Sequence, residues 1–433
     1  MRLILVALLT AAAPPVSDPL LAPPPEAPAR LESWAQALEL IRAQSPSYAQ
    51  RAQAVQRAQG AARIALGAVL PTLTATGAFT HQFSTEDVTL AGVTFTTPPP
   101  NLLSAQASAN WSVLNLRALH DLGTAGRELD AAKLSFADAR REIASSAVGA
   151  ILATLATTRV AELNRTGLRT ALERLSLTEA RQQFGQGTAL DHDRALQDVA
   201  SARAQVLSGD ESLLQAREAL GLLLGSRTPL AAPAALDLQQ FEQAVAQTCK
   251  LNADLERRPD VAAAALRLEV AERNVTSAEL QPLPIVSLFA QGGHASEAVL
   301  APLNTFAMGA TLTFPLYDGG VRYGVLRINR AAAEEARAAL NQTRLAAVVS
   351  SARASRAVTV LTASRDVAKD QRDLAARIDE RTQGGYAQGF GTSLDLVTSA
   401  QALRAAENNL ALLEFQVAQA RANAVLTNAE CAF

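Results

Sequence analysis

The sequence predicts a mainly α-helical chain with a transmembrane β portion, made by duplication of one unit. Three observations carry this. The 19 prolines lie at 14–100 and 229–315 only, so 101–228 and 316–433 are free of a residue that costs about 3 kcal/mol inside a helix. The chain also repeats: an offset of 213 brings Pro46 onto Pro259 and Leu70-Pro71 onto Leu283-Pro284, 203 brings Trp111 onto Phe314, and 204 brings Gly187–Asp191 (GTALD) onto Gly391–Asp395 (GTSLD). Finally, each half holds two segments in which apolar and small polar residues alternate with period two.

Composition narrows the function classes. The chain has 433 residues, of which 49% are hydrophobic but only 4% aromatic, and roughly a fifth are alanine. That balance favours closely packed helices over a thick globular core. With 39 Lys+Arg against 41 Asp+Glu and no basic stripe, nucleic acid is not an expected partner. Two cysteines and four scattered histidines give neither a disulfide scaffold nor a zinc spacing, and no cofactor is expected. Nothing resembles a nucleophile–base pair, a phosphate loop or paired catalytic carboxylates, so an enzyme is not expected.

In chain order, residues 1–13 (MRLILVALLTAAA) have a basic start, an apolar stretch and small residues at the end, as a short signal peptide does; a buried N-terminus is the alternative. No cysteine follows to carry a lipid, and no other run approaches the 18 or so apolar residues of a spanning helix. Residues 14–30 form a Pro-rich linker suited to a flexible start. The first repeat covers 31–224, a connecting segment 225–250, and the second repeat 251–433. Each repeat pairs one long helix (117–183; 325–383), about 90–100 Å at 1.5 Å per residue, with two shorter ones (31–69 and 188–224; 251–281 and 392–428) of about 45–60 Å. Gly384-Gly385 reads as a helix stop. Every seventh residue of the second long helix is apolar: Leu326, Ala333, Leu340, Ala347, Ala354, Leu361, Ala368 and Ala375.

The strands share one parity. Leu73, Ala75, Gly77 and Phe79 oppose Thr72, Thr74, Thr76 and Thr80; Ala105, Ala107, Ala109, Trp111 and Val113 oppose Ser104, Gln106, Ser108, Asn110 and Ser112. In the second half Val286, Leu288 and Ala290 form the first apolar row, and Phe306, Met308, Ala310, Leu312 and Phe314 oppose Thr305, Thr311 and Thr313. Apolar outside and small polar inside is what a membrane barrel with a wet lumen requires. A half-buried soluble sheet would alternate too, but Trp111, Phe314 and Tyr317 near strand ends fit an interfacial girdle facing outer-membrane lipid. Four strands cannot close a barrel; three copies give twelve strands and room for water.

The duplicated strand-strand-helix plan, the helix exits at Leu70-Pro71 and Leu283-Pro284, the FPLYDGG run at 314–320 and the turn YAQGFGTSLDLVTSAQALRAAENNL at 386–410 resemble the TolC family of outer-membrane efflux proteins. The resemblance covers nearly the whole chain after the signal. It implies a homotrimer whose twelve-stranded outer-membrane barrel continues into a periplasmic α-helical tunnel, closed at its tip until a periplasmic adaptor and an inner-membrane pump engage it. Conduction would be passive, for a drug, metal ion or polypeptide cargo. The alternatives are a periplasmic coiled-coil adaptor or a structural helical protein of the envelope, neither of which needs four alternating strands.

The resemblance also places acids at the tunnel entrance: Asp395 by motif position, Asp191 as its repeat counterpart, with Tyr386 and Thr398 beside them. Thr398 stands where some members carry a second acid, and Gly391 where some carry a base. A capping reading competes, since Thr188–Asp191 and Thr392–Asp395 both have the spacing that satisfies helix N–H groups. His81 and His294 fit solvated strand ends. Cys249 and Cys431 could pair in an oxidising periplasm or remain two free thiols.

Overall fold

The computed structural model describes residues 18–90, 92–97, 101–185, 187–233, 237–251, 254–298, 301–431 and 433. The signal segment expected at 1–13 lies outside the described residues. The element order is β1 Ala29–Arg30, α1 Trp34–Gln44, α2 Pro46–Gly67, β2 Thr72–His81, β3 Glu86–Leu90, β4 Val93–Thr97, β5 Asn101–Leu114, α3 Leu116–Gln183, α4 Ala189–Leu224, β6 Leu230–Ala231, α5 Leu238–Thr248, β7 Cys249–Leu251, α6 Pro259–Glu279, β8 Ile285–Ala298, β9 Ala301–Thr313, α7 Val321–Ala387, α8 Ser393–Thr427 and β10 Ala429–Cys431. Two compact units divide the chain, the first formed by 1–49, 139–253 and 348–433, the second by 50–138 and 254–347. The long helices α3 and α7 contribute to both.

The second unit holds an antiparallel sheet in the order β2-β5-β8-β9. Its register keeps the expected parity across all four strands. Leu73, Ala109, Ala290 and Met308 form one apolar row, while Thr74, Ser108, Gln291 and Ala307, and then Thr76, Gln106, Gly293 and Thr305, form rows on the other face. Four large apolar residues depart from the pattern and fall on the polar face, Leu102, Ile285 and Leu303 toward strand ends and Phe289 in mid-strand. Phe289 lies on the polar face against Gly309, where a Cβ would come within 2.9 Å of its ring. The segment between β2 and β5 folds into the hairpin β3–β4, with Gly92 at φ 83° and a 2.7 Å hydrogen bond from Thr96 Oγ1 to Asp87 Oδ1.

In the same unit α6 is fastened on two sides. Toward α3, Arg127 pairs with Glu269 at 3.1 Å and Arg273 Nε donates to Thr124 Oγ1 at 3.1 Å. Toward α7, Arg330 pairs with Glu279 at 3.3 Å and Arg337 with Glu272 at 2.9 Å. Such exposed pairs contribute up to about 1 kcal/mol each, so they set register more than stability. Val261, Ala264, Leu340 and Ala347 bury the apolar seam between α6 and α7. By contrast, α2 buries no side chain.

The first unit carries the larger core, built from α1, α3, α4, α5 and α8 around Leu31, Ile41, Val148, Ile151, Leu152, Leu220, Leu224, Val245 and Leu426. Cys249 and Cys431 face each other in the β7–β10 pair and are joined by a disulfide. The Pro-rich start is fastened rather than flexible from Asp18 onward. Asp18 pairs with Arg203 at 2.9 Å, Leu20 and Leu21 pack on Leu168 and Val199, and the carbonyls of Ala22 and Pro25 accept from Arg165 and Arg217. β1 then runs parallel to β6.

Several helix limits differ from the sequence expectation. The segment 31–69 is two helices, because Pro46 cannot continue α1 and instead opens α2. At that break the Gln44 carbonyl approaches Gly225, where a Cβ would sit only 2.3 Å from it. The helix expected from 251 begins at Pro259, after the 3-10 turn Leu255–Arg257. Gly384-Gly385 does not stop α7, which runs on to Ala387. The chain turns at Gly389, φ 87°, where Phe390 N donates to Gly385 O at 2.9 Å. The heptad row of α7 does face inward: Ala333, Leu340, Ala347 and Ala368 are buried and the other four are half-buried. Contrary to the expectation that no run after residue 13 is apolar enough to span, α3 contains an 18-residue window of mean hydropathy 1.4. That helix supplies Ile143, Val148, Ile151 and Leu152 to the core of the first unit, which accounts for its apolarity.

Candidate functional site

The two helix turns of the first unit, between α3 and α4 and between α7 and α8, carry the residues expected at an entrance. Both are built on the same local chemistry. Thr188 Oγ1 accepts from Asp191 N at 3.2 Å while Thr188 N donates to Asp191 Oδ2 at 3.0 Å. Thr392 and Asp395 repeat this at 3.2 Å in both directions. Each acid thus satisfies helix N–H groups, as the spacing predicts. The hydrogen bond from the Ser393 hydroxyl, followed by those from Thr188, holds Asp191 below the ordinary carboxylate range, and Thr392 does the same for Asp395. Both acids therefore stay ionised at neutral pH. Capping does not compete with presenting a negative charge, because Asp395 remains exposed to solvent.

Tyr386 is buried, and its ring lies under the Arg181 guanidinium at 4.5 Å, while Arg181 Nη1 donates to the Tyr386 carbonyl at 2.7 Å. This ties the end of α3 to the end of α7. Gly391 lies against that same tyrosine: a Cβ there would be 3.1 Å from Tyr386 N, so any side chain at this position would crowd the end of α7. Thr398 is exposed and turns its hydroxyl back to the Leu394 and Asp395 carbonyls at 2.9 and 3.1 Å. It adds no charge to the Asp395 position. Phe184 and Phe390 project from the two turns, both more than three-quarters exposed (80% and 87%).

Sequence reasoning missed the buried ionic links among the four helices. Asp198 of α4 is paired with Arg404 of α8. Asp379 of α7 accepts from Arg174 of α3 at 3.0 Å, from Ser399 of α8 at 2.8 Å and from Gln383 at 2.6 Å. Arg194 of α4 reaches Ser393 of α8 at 3.2 Å. Burial pulls the Arg174 guanidinium below its ordinary range, and Asp379 followed by Asp198 offsets this only in part. Arg404 also needs space beside α3, since a Cβ at Gly167 would meet its Cδ at 2.5 Å. A local signal existed: Arg404 sits in the buried row Ser393, Leu396, Ala400, Arg404 and Ala411, where an apolar residue would be ordinary.

The other expected residues lie in the second unit. Trp111 sits on β5 opposite Leu288 and donates from Nε1 to the Val69 carbonyl at 3.0 Å; Phe314 and Tyr317 follow β9 and are exposed. His81 pairs with Asn101 and His294 with Asn304, each at 2.8 Å, repeating the offsets of 213 and 203 in three dimensions.

The family described as outer membrane efflux protein matches residues 37–226 and 251–426. The pyoverdine export outer membrane protein OpmQ of Pseudomonas putida is 28% identical over 413 residues, 89% of this chain and 83% of its own length. Among solved structures, the outer membrane protein VceC of Vibrio cholerae has 22% identity, covering 91% of this chain and 96% of that one, at a TM-score of 0.72. The CmeC outer membrane channel of Campylobacter jejuni has 14% identity and covers 99% and 93%, at a TM-score of 0.77. At these identities the structures speak for the fold.

Proposed function

Since the chain belongs to the outer membrane efflux protein family, we propose that it works as the outer-membrane channel of a tripartite efflux or type I secretion system, conducting cargo passively from the periplasm to the exterior. It resides in the outer membrane with a periplasmic helical extension. The observation that carries the reading is the four-stranded sheet with one apolar and one polar face and both edge strands, β2 and β9, paired on one side only. Such a sheet meets the bilayer's demand for paired backbone groups only when closed by other copies, and three copies give twelve strands. The homotrimer, the periplasmic adaptor and the inner-membrane pump complete this reading, as do the domain limits 31–224, 225–250 and 251–433. The channel performs no catalytic step; the pump supplies the energy.

The entrance lies at the turns capped by Thr188 and Thr392, where three copies present rings of Asp191 and Asp395 carboxylates. Arg181–Tyr386, Arg174–Asp379 and Arg404–Asp198 hold the α7–α8 pair to the α3–α4 pair and keep the entrance narrow. Trp111, Phe314 and Tyr317 meet the lipid interface. An adaptor or an envelope fibre would not need the four alternating strands. In planar bilayers the purified protein is expected to form a low-conductance pore, and Asp395→Asn to raise conductance and weaken cation preference. No pore from correctly folded trimer would overturn the channel reading.

A further inference from the structure

The duplication leaves two helical surfaces of the second unit without a partner. α2 buries none of its side chains, whereas α6, its repeat counterpart, is fastened to both α3 and α7. On α7, Ile328, Glu335, Ala338, Gln342 and Leu345 recur at spacings of seven, three and four residues and are all exposed, on the side away from Ala333, Leu340 and Ala347. At five glycines of these helices, Gly60, Gly67, Gly324, Gly384 and Gly385, a Cβ would meet nothing within 4 Å of the chain, and Gly60 and Gly324 each lie one turn from an exposed isoleucine, Ile64 and Ile328. Each nevertheless weakens its helix relative to alanine.

We infer that α2 of one copy lies antiparallel along this α7 stripe of the next copy, with Gly60 receiving Ile328 and Gly324 receiving Ile64. The inference rests on the trimeric channel reading and specifies its seam. Strand order supplies the first argument. β5 leads into α3 and α6 leads into β8, so the β5–β8 pairing sets α3 beside α6. β9 leads into α7 and α2 leads into β2, and these are the outer strands of the sheet. Pairing β9 with β2 of another copy therefore sets α7 beside that copy's α2.

The observed α3–α6 junction supplies the register. There Gly123 is a notch for Arg273, whose Nη2 would lie 2.6 Å from a Cβ at that position, and Arg273 Nε bonds Thr124. The offset of 213 carries Arg273 onto Gly60, and the offset of 204 carries Thr124 onto Ile328. Notch and knob have exchanged sides. One helical turn along each helix, in opposite directions, Ile64 meets Gly324. Both knobs are free within the chain, with Ile64 77% and Ile328 68% exposed. At this register the Gly60–Ile328 and Ile64–Gly324 contacts are apolar where the matching α3–α6 contact, Arg273 on Thr124, is polar.

The test is disulfide trapping in the full-length protein, where the native cysteines are already bonded to each other. Gly60→Cys/Ile328→Cys and Ile64→Cys/Gly324→Cys should each shift the oxidised protein to covalent dimer and trimer on denaturing gels. The four single substitutions, and Gly67→Cys/Ile328→Cys, displaced by about two turns, should not. If one designed pair fails to reach the membrane, the other decides alone. A trimer by light scattering in detergent that neither pair can trap overturns the seam and leaves the channel reading standing. A parent chain that is not trimeric overturns both.

Discussion

Arg404 and Asp198 show how much one buried pair can weigh. With both side chains almost fully enclosed, Asp198→Ala leaves an uncompensated guanidinium and is expected to lower the stability of the folded chain by about 3–5 kcal/mol, read as a fall in the denaturation midpoint. Gly167→Ala should act on the same site by crowding Arg404 and cost about 1–3 kcal/mol. The capping acids respond differently. Their folded pKa values are depressed, so the stabilisation they give is present above the unfolded value of about 3.9 and is lost as pH falls through the lower folded value. Helicity at the two turns should therefore persist to about pH 4 and decline below it, which circular dichroism of the wild type against Asp191→Asn/Asp395→Asn can measure. The caps were legible in the sequence because Thr and Asp three residues apart solve a local problem. The ionic links were not, because Arg404 meets Asp198 across 206 positions and no single-helix pattern records which faces will meet.

At the scale of elements, the strands were legible and the helix joints only partly so. Alternation fixed the parity of β2, β5, β8 and β9 because a strand has only two faces, and one apolar face must point away from water. Phe289 escaped that logic because its place is set by a neighbour, Gly309, rather than by polarity. The break at Pro46 follows from proline chemistry, although the span 31–69 also suits one helix of the shorter class. The hairpin β3–β4 carries a turn glycine and alternation too, Val88 and Leu90, then Val93 and Phe95, against Thr89, Thr94 and Thr96, but in strands of only five residues. The two sheet faces make opposite predictions for one substitution. Ala290→Arg, in the apolar row, should cost about 2–4 kcal/mol near the membrane midplane and abolish assembly in the outer membrane, while Gln291→Arg should be tolerated there and alter ion selectivity. Tolerance of both, by membrane fractionation, would contradict the orientation of the sheet.

For the whole molecule, the repeat was the most informative signal, since two copies of one plan let every landmark be checked against another. His81–Asn101 and His294–Asn304 preserve it as matching contacts, although neither pair is needed to recognise it. What the repeat could not foretell is where the halves differ, above all the extended course of residues 18–30 along α3 and α4, where the second repeat instead lays the helix α5 against α8. The disulfide is likewise outside the repeat. Its loop of 182 residues makes Cys431→Ser worth on the order of 2–5 kcal/mol, visible as a lower Tm and as sensitivity of the folded chain to protease. That loop also has a consequence for the order of events during biogenesis. Nearly all of the second repeat lies between the two sulfurs, so oxidation must wait until that repeat has crossed the inner membrane. The bond thereby serves as a timestamp: a chain that carries it has been exported past Cys431, and one that stalls in transit can be told apart by its two free thiols.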